Sequence, residues 1–158
     1  MAETELTKAI KRVLLHHTKA DCSGIYGCYE VCLGAGYGDE YVDYMTMSST
    51  NVFRVYEIKV SLSDLKSKAK LSFCGDYNYI VLPEELYQNE AVKEELKYHT
   101  ICGIGILLYC DRLGCKYIKQ ERKPGKMTLN VGRRVELMHY MIRSLSRYTV
   151  KFVKVGNK

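Results

Sequence analysis

The stretch VYEIKVSLSDLKSKAKL, residues 55–71, sets the order of the central elements of this chain. Its first residues are rich in β-branched and aromatic side chains, which is typical of a strand. Ser61 and Asp64 then form the S-x-x-D signature of a helix N-terminus, so a helix is expected over 62–73. The apolar run YNYIVLP, 77–83, predicts a further strand. A strand, a helix and a strand in this order indicate a parallel crossover.

Upstream, the hydrophobic pattern predicts a helix followed by three strands. Apolar residues recur at three- and four-residue steps over 3–17, which indicates an amphipathic helix. Strands are expected at 25–33, 41–47 and 52–60, and their short turns predict an antiparallel meander. On the first strand, alternation places Tyr29, Val31 and Leu33 on one face and Cys28, Glu30 and Cys32 on the other.

Downstream, the pattern continues with more helices and strands. We expect a polar helical stretch over 84–97, a strand over 101–110 and its hairpin partner over 115–120. Asn130 is suited to cap a last helix over about 131–147. The side chains expected to face inward on that helix are Val135, Met138, Met141, Ile142 and Leu145.

The predicted fold class is therefore α/β, with a central mixed β-sheet flanked by helices. The 158 residues suit a single domain, with a core at about 3–83 and a C-terminal extension at about 84–158. A hydrophobic content of 47% excludes a disordered chain, and no apolar run has the length of a membrane-spanning helix. The charged N-terminal stretch shows no secretory signal. Seven Cys without a CxxC pair indicate free thiols in a reducing, cytoplasmic setting.

Charged residues inside the third strand mark a candidate site. Glu57 and Lys59 are two residues apart and share a strand face, where charge is unfavourable unless it is paired or bound. Asp43 lies 14 residues before Glu57, and a hairpin around SSTN brings the two carboxylates together across the ladder. Such a pair favours a divalent cation such as Mg²⁺, which takes hard oxygen ligands. The alternative is a solvent-facing row of salt bridges on an edge strand.

Asp43 followed by Glu57-Ile58-Lys59 resembles the D-(x)n-E-x-K signature of the PD-(D/E)XK nucleases. The segments YEIKVSLSDLKSKAKLSF and DYNYIVLP resemble more closely the MmcB-like DNA repair proteins and their phage relatives. The ending MIRSLSR, 141–147, is also similar to phage members of this group. Val42 stands where the proline of the family motif is expected, which is a departure from the pattern.

The resemblance implies a restriction-endonuclease-like core and a Mg²⁺-dependent nuclease in which Mn²⁺ can substitute. It implies hydrolysis of DNA phosphodiester bonds in repair, recombination or phage DNA metabolism, in a bacterial or phage-infected cell. By resemblance, Asp43, Glu57 and the backbone carbonyl of Ile58 would bind the metal, and Lys59 would assist the attacking water. Glu30 is the preferred further catalytic carboxylate, with Glu3 second and Glu5 also open.

The net charge of +6 is compatible with a polyanionic partner. Lys66, Lys68 and Lys70 are candidates for contacts with DNA phosphates, with a solvated helix face as the alternative. A second basic cluster comprises Arg122, Lys123, Lys126, Arg133 and Arg134. A homodimer is one arrangement that would cut both strands. The alternative to a nuclease is a non-catalytic DNA-binding or protein-interaction module on the same fold.

Overall fold

The computed structural model describes residues 3–34, 40–67 and 71–156 as an α/β protein built on one six-stranded mixed sheet. The strands lie side by side in the order in which they occur along the chain. The first three are antiparallel, the third to fifth are parallel, and the sixth returns antiparallel to the fifth. The strands are β1 (Ile25–Cys32), β2 (Tyr41–Ser48), β3 (Phe53–Ile58), β4 (Tyr77–Pro83), β5 (Gly105–Arg112) and β6 (Cys115–Arg122). The predicted fold class, meander and parallel crossover are confirmed.

Helices flank the sheet. They are α1 (Glu5–His17), α2 (Leu62–Leu65), α3 (Glu84–Tyr87), α4 (Glu90–Ile101) and α5 (Val131–Gly156). Asn130 caps α5 as expected, because its Oδ1 accepts the amide of Arg133 at 2.8 Å. None of the helices in the described ranges is both long and apolar enough to cross a bilayer. All seven cysteines are unpaired thiols.

Each helix layer covers its own part of the sheet. Helix α1 packs on a face that carries a row of four tyrosines, one from each of β1 to β4. The tyrosine rings follow one another with centroids 4.4, 5.5 and 5.0 Å apart. They are Tyr29, Tyr44, Tyr56 and Tyr79. Helix α4 packs on a second cluster centred on β4 and β5, and α5 packs on a third centred on β1, β2 and β3.

The helix expected over 62–73 is shorter than predicted. Its cap is as expected, since the Ser61 side chain accepts the amide of Asp64, but α2 ends at Leu65. Residues 68–70 lie outside the described ranges, and 71–74 is not helical. The amide of Ser72 donates to the carboxylate of Glu57 instead of to a helical carbonyl. Ser72 therefore takes part in the carboxylate site and not in a helix.

The predicted face pattern of β1 is also wrong. Tyr29 packs in the tyrosine cluster, whereas Val31 joins Cys28 in the cluster beneath α5. Between them, Glu30 has a φ of 50°, in the left-handed region. This single residue breaks the strand's alternation, so that the residues on either side of it no longer share a face.

The inward face of α5 agrees with the expectation at Met141 and Met138, which lie in or against the cluster beneath the helix, and differs at the other predicted positions. Its buried residues are Leu137, Met141 and Ser144, whereas Val135 and Ile142 are about 60% exposed. Polar contacts fix this rotation, since Arg134 forms a bidentate ion pair with the fully buried Asp76, at 2.6 and 2.8 Å. The Ser144 hydroxyl accepts the amide of Cys32 at 3.3 Å. The spacing of apolar residues alone does not predict such polar contacts.

The boundaries of the later elements shift by a few residues. The stretch expected over 84–97 forms two helices, and the second ends at Ile101, where the next strand was expected to begin. Gly103 has a φ of 83° and turns the chain, so that β5 begins at Gly105. The predicted hairpin between β5 and β6 is confirmed. Its two-residue turn, Leu113-Gly114, has positive φ at both positions, as a type I′ turn requires.

Candidate functional site

The predicted carboxylate pair is present. Tyr44 pairs with Tyr56 in the antiparallel ladder, so the next step of the register places Asp43 directly opposite Glu57. The two carboxyl groups lie within hydrogen-bonding distance of each other. Asp43 is held by the backbone, because the amide of Ile58 donates to its Oδ2 at 2.7 Å. The site therefore forms where β3 ends.

Burial gives this pair unusual electrostatics. Glu57 is 3% exposed, and its Oε1 is buried without a hydrogen-bond partner among the described residues. Burial, followed by the charge of Asp43, raises the pKa of Glu57 to about 9. Burial also raises the pKa of Asp43, against the opposing effects of the Ile58 amide and the Lys59 charge. At neutral pH, without a cation, Glu57 therefore holds a proton.

Lys59 completes the predicted set. It follows β3, is 6% exposed, and its backbone amide bonds to the carbonyl of Val81 at 2.9 Å. Its Nζ lies 3.4 Å from Oδ1 of Asp64, whose Oδ2 accepts the amide of Val60 at 3.1 Å. The positive charge of Lys59 lowers the pKa of both Asp43 and Glu57, against their larger desolvation. A buried ammonium thus lies near enough to both carboxyl groups to favour their ionised forms.

A cleft of about 470 Å³ opens beside the pair. Ser72 lies on its wall and links it to the site, because its amide donates to Glu57 while its hydroxyl donates to Glu40. Arg133, Glu136 and Tyr140 of α5 also line the cleft. Asp43 and Glu57 lie behind its wall, and Ser72 is the residue that connects the cleft to the carboxyl pair.

The other carboxylates proposed from the sequence are placed differently. Glu30 lies opposite Asp43 in the register of β1 and β2, but its Oε1 accepts from Lys11 at 3.4 Å. Lys11 also pairs with Glu3 at 2.6 Å and lies near enough to Asp43 to lower its pKa slightly. Glu5 pairs with Lys8 on the surface of α1. Glu3 and Glu30 thus share Lys11 as their ion-pair partner, and the catalytic role proposed for Glu30 stays a prediction.

The predicted phosphate-binding residues are only partly described. Lys66 is exposed at the C-terminal cap of α2, and Lys68 and Lys70 lie outside the described residues. In the second basic cluster, Arg134 is used in the ion pair with Asp76, and Arg133 pairs with Glu136 at 2.6 Å. Arg122, Lys123 and Lys126 are exposed.

Sequence reasoning missed three contributors to the site. Asp64 was recognised only as part of a helix cap, yet it is the partner of Lys59. Ser72 supplies the amide that bonds Glu57, and no local pattern marks it. Lys11 forms ion pairs with both Glu3 and Glu30. The sequence placed Lys11 on the polar side of α1 but did not predict these partners. All three roles depend on contacts between segments distant in sequence.

The donors present suit a hard divalent cation with few protein ligands. Within the three described ranges, no three His, Cys, Asp or Glu side chains lie close enough to hold a metal ion together. Mg²⁺ usually keeps several waters and uses one or two carboxylates with substrate phosphate, so it does not need a third side chain. Two adjacent carboxyl groups and the unpartnered buried Oε1 of Glu57 fit that requirement. The proposed ligand role of the Ile58 carbonyl stays a prediction.

Comparisons with known proteins bear on the fold. No family model matches the chain, and no curated protein matches it. A solved structure described as "SPO1766 protein of unknown function from Silicibacter pomeroyi" is similar, with a TM-score of 0.70. The two chains are 16% identical, and the match covers 99% of this chain and 97% of the other. A likeness at this identity shows a shared fold alone, so function has to be argued from the site.

Proposed function

We propose that this protein is a metal-dependent nuclease that hydrolyses DNA phosphodiester bonds, with a site of the PD-(D/E)XK type. The observation that carries the proposal is the buried Asp43–Glu57 pair, with one oxygen of Glu57 unpartnered, beside the buried Lys59. A purely structural carboxylate of this burial would normally have hydrogen-bond partners for both oxygens. An incomplete, desolvated pair next to a cleft is typical of a functional site.

The residues have separate roles in this proposal. Asp43 and Glu57 would hold the cation, together with the backbone carbonyl of Ile58. A bound Mg²⁺ or Mn²⁺ would polarise a phosphate oxygen and lower the pKa of a water molecule. The Ile58 amide fixes the orientation of Asp43, so that little reorganisation is needed on binding. Lys59 orients the attacking water and stabilises negative charge that develops on the phosphate.

The test is cleavage of labelled supercoiled, linear duplex, single-stranded and branched DNA in Mg²⁺, Mn²⁺ or EDTA. Lys59→Met keeps the buried aliphatic stem and removes the charge, so we expect a loss of cleavage of about 100-fold or more with folding retained. Lys8→Met, on the surface of α1, is the matched control and should cleave like the wild type. Cleavage that persists in Lys59→Met, or that is absent on every substrate, would contradict the nuclease assignment.

A non-catalytic DNA-binding module is the second candidate, and the unbalanced basic charge of α5 favours it. This alternative predicts salt-dependent DNA binding without cleavage in any metal. The presence of Asp43, Glu57 and Lys59 together in one buried site argues for the nuclease, since a binding module does not require a desolvated carboxylate pair.

A further inference from the structure

The charge of this protein is concentrated on one helix. Helix α5, residues 131–156, contains six Lys and Arg and one Glu, a net of +5 out of +6 for the whole chain. The remaining 132 residues therefore have a net charge of +1. From residue 137 to residue 156 the helix has four cationic side chains and no carboxylate. A local excess of positive charge of this kind is typical of a surface that binds a polyanion.

The cations form a stripe along one side of the helix. Arg143, Arg147 and Lys151 follow at four-residue steps, which keeps them within a narrow sector of the helix surface. A step of four residues advances about 6 Å along the axis, so the three span about 12 Å. That length corresponds to the rise of three to four nucleotides along one DNA strand, at about 3.4 Å each.

Each cation of the stripe lies over a tyrosine ring. Arg143 is 5.3 Å from the ring centroid of Tyr140, and Lys151 is 5.7 Å from that of Tyr148. Arg147 is 6.0 Å from the ring centroid of Tyr41, two residues before Asp43. Aromatic faces next to cations can hold a charge in place without neutralising it.

The stripe lacks carboxylate partners, although Arg143 donates to the carbonyl of Cys32 at 2.9 Å and Arg147 to the hydroxyl of Ser144 at 3.1 Å. No carboxylate in the described ranges forms an ion pair with Arg143, Arg147 or Lys151. Helix α4, by contrast, pairs its cations with carboxylates three residues earlier, as in Lys93–Glu90 and Lys97–Glu94. The exposed cations Lys93 and Lys97 are thus neutralised within α4, whereas the three cations of the stripe are not neutralised within α5.

The stripe also begins at the candidate active site. Tyr140, whose ring lies near Arg143, lines the same cleft as Ser72, the residue that bonds Glu57. Further along, Arg147 and Lys151 border a smaller pocket of about 290 Å³ with Glu30 and Tyr41. The cleft has Arg133 together with Glu40 and Glu136 on its walls, and the smaller pocket has Glu30 beside Arg147 and Lys151. The positive charge along this path therefore increases from the cleft toward the end of α5.

We infer that the Arg143–Arg147–Lys151 stripe of α5 is the surface that binds the DNA backbone and leads it into the carboxylate cleft. The inference rests on the proposed nuclease function for the identity of the polyanion. Recognition is independent of sequence, because these side chains meet phosphates and not base edges. It assigns substrate binding to the C-terminal helix rather than to the lysines after Asp64.

The test measures binding of a labelled duplex and of a labelled single strand by fluorescence anisotropy in EDTA, over a series of KCl concentrations. The variant Arg147→Gln/Lys151→Gln removes two exposed charges, and Lys93→Gln/Lys97→Gln on α4 removes the same charge elsewhere. We expect the α5 variant to bind duplex at least 10-fold more weakly at low salt. The slope of log K against log [KCl] should fall by about 2, at about 0.9 per phosphate contact. The α4 variant should stay within about twofold of the wild type.

The outcomes separate this inference from the proposed function. Equal binding by the two variants, or no binding by the wild type, would overturn the role of α5, and metal-dependent cleavage would still stand. Lost binding in the α5 variant without any cleavage by the wild type would support the surface and contradict the nuclease. If Arg147→Gln/Lys151→Gln unfolds, Lys151→Gln/Lys154→Gln, which leaves the Arg147–Ser144 contact intact, gives the same comparison.

Discussion

At the scale of single residues, Glu57 has an unfavourable environment for a carboxylate. It is buried, its Oε1 lacks a partner among the described residues, and its neighbour is another carboxyl group. Such an arrangement lowers stability in the metal-free state, which is typical of residues retained for function. The hypothesis of a metal site explains why the chain keeps both Asp43 and Glu57 in one desolvated place.

Replacing Glu57 by Gln should therefore stabilise the metal-free protein at alkaline pH. The pKa of Glu57 is raised from 4.5 to about 9, so between these values the folded state holds a proton that the unfolded state has lost. Stability of the wild type accordingly falls as pH rises through this window, and the Gln variant lacks that slope. We expect Glu57→Gln to be more stable by about 1–3 kcal/mol at pH 8 and similar at pH 5.

Urea unfolding in EDTA at the two pH values measures this difference. Glu94→Gln, on the exposed face of α4, is the control and should shift by less than about 0.5 kcal/mol at either pH. A wild type as stable as Glu57→Gln at pH 8 would show that Glu57 is ionised and satisfied in the fold.

The sequence predicted these residues better than it predicted their surroundings. The period-two face of β3 and the hairpin length were enough to place Asp43 opposite Glu57, because register follows directly from both. Ser72 and Lys11 were not foreseeable, since their contacts depend on how separate segments pack. Glu30 was placed on the correct strand, but its positive φ is a backbone feature that alternation does not anticipate.

At the scale of elements, α5 packs on the sheet through an apolar cluster that includes Leu137 and Met141, and a buried ion pair anchors its first turn. Arg134 donates two hydrogen bonds to Asp76 and one to the carbonyl of Asn51, and Asp76 also accepts the amide of Phe53 at 2.8 Å. Burial is the largest single effect and raises the pKa of Asp76. The hydrogen bonds from Arg134 and the Phe53 amide, with the charges of Arg134 and Lys126, together outweigh burial and hold the pKa below its usual value. Val135 and Ile142, which were expected to face inward, are exposed, so their apolar character did not predict the rotation of this helix.

Arg134→Ala should therefore destabilise the protein by about 3 kcal/mol, because it leaves the buried carboxylate of Asp76 without its charge partner. The neighbouring Arg133 makes only a surface pair with Glu136, so Arg133→Ala should change the free energy of unfolding by less than about 1 kcal/mol. Chemical denaturation at neutral pH compares the two. Equal effects of the two substitutions would mean that the Asp76 ion pair does not anchor α5.

At the scale of the whole molecule, the α/β class and mixed sheet followed from the alternation of strand and helix patterns. The strand order was foreseeable because short turns join β1, β2 and β3, and the crossover after β3 makes β4 parallel to it. The early end of α2 at Leu65 was not foreseeable, because the apolar pattern continues to residue 73 while the chain at 71–74 is not helical and Ser72 bonds Glu57. Local propensity therefore identified the elements better than their ends.

The central claim is that Asp43 and Glu57 form a divalent-metal site, and Mn²⁺ titration calorimetry of the metal-free protein tests it most directly. We predict one Mn²⁺ bound per chain by the wild type, with affinity at least 10-fold weaker in Asp43→Asn and in Glu57→Gln. The control Asp21→Asn, at the exposed His16 contact, should bind like the wild type. Wild-type affinity in both site variants, or no Mn²⁺ binding by the wild type, would contradict the account.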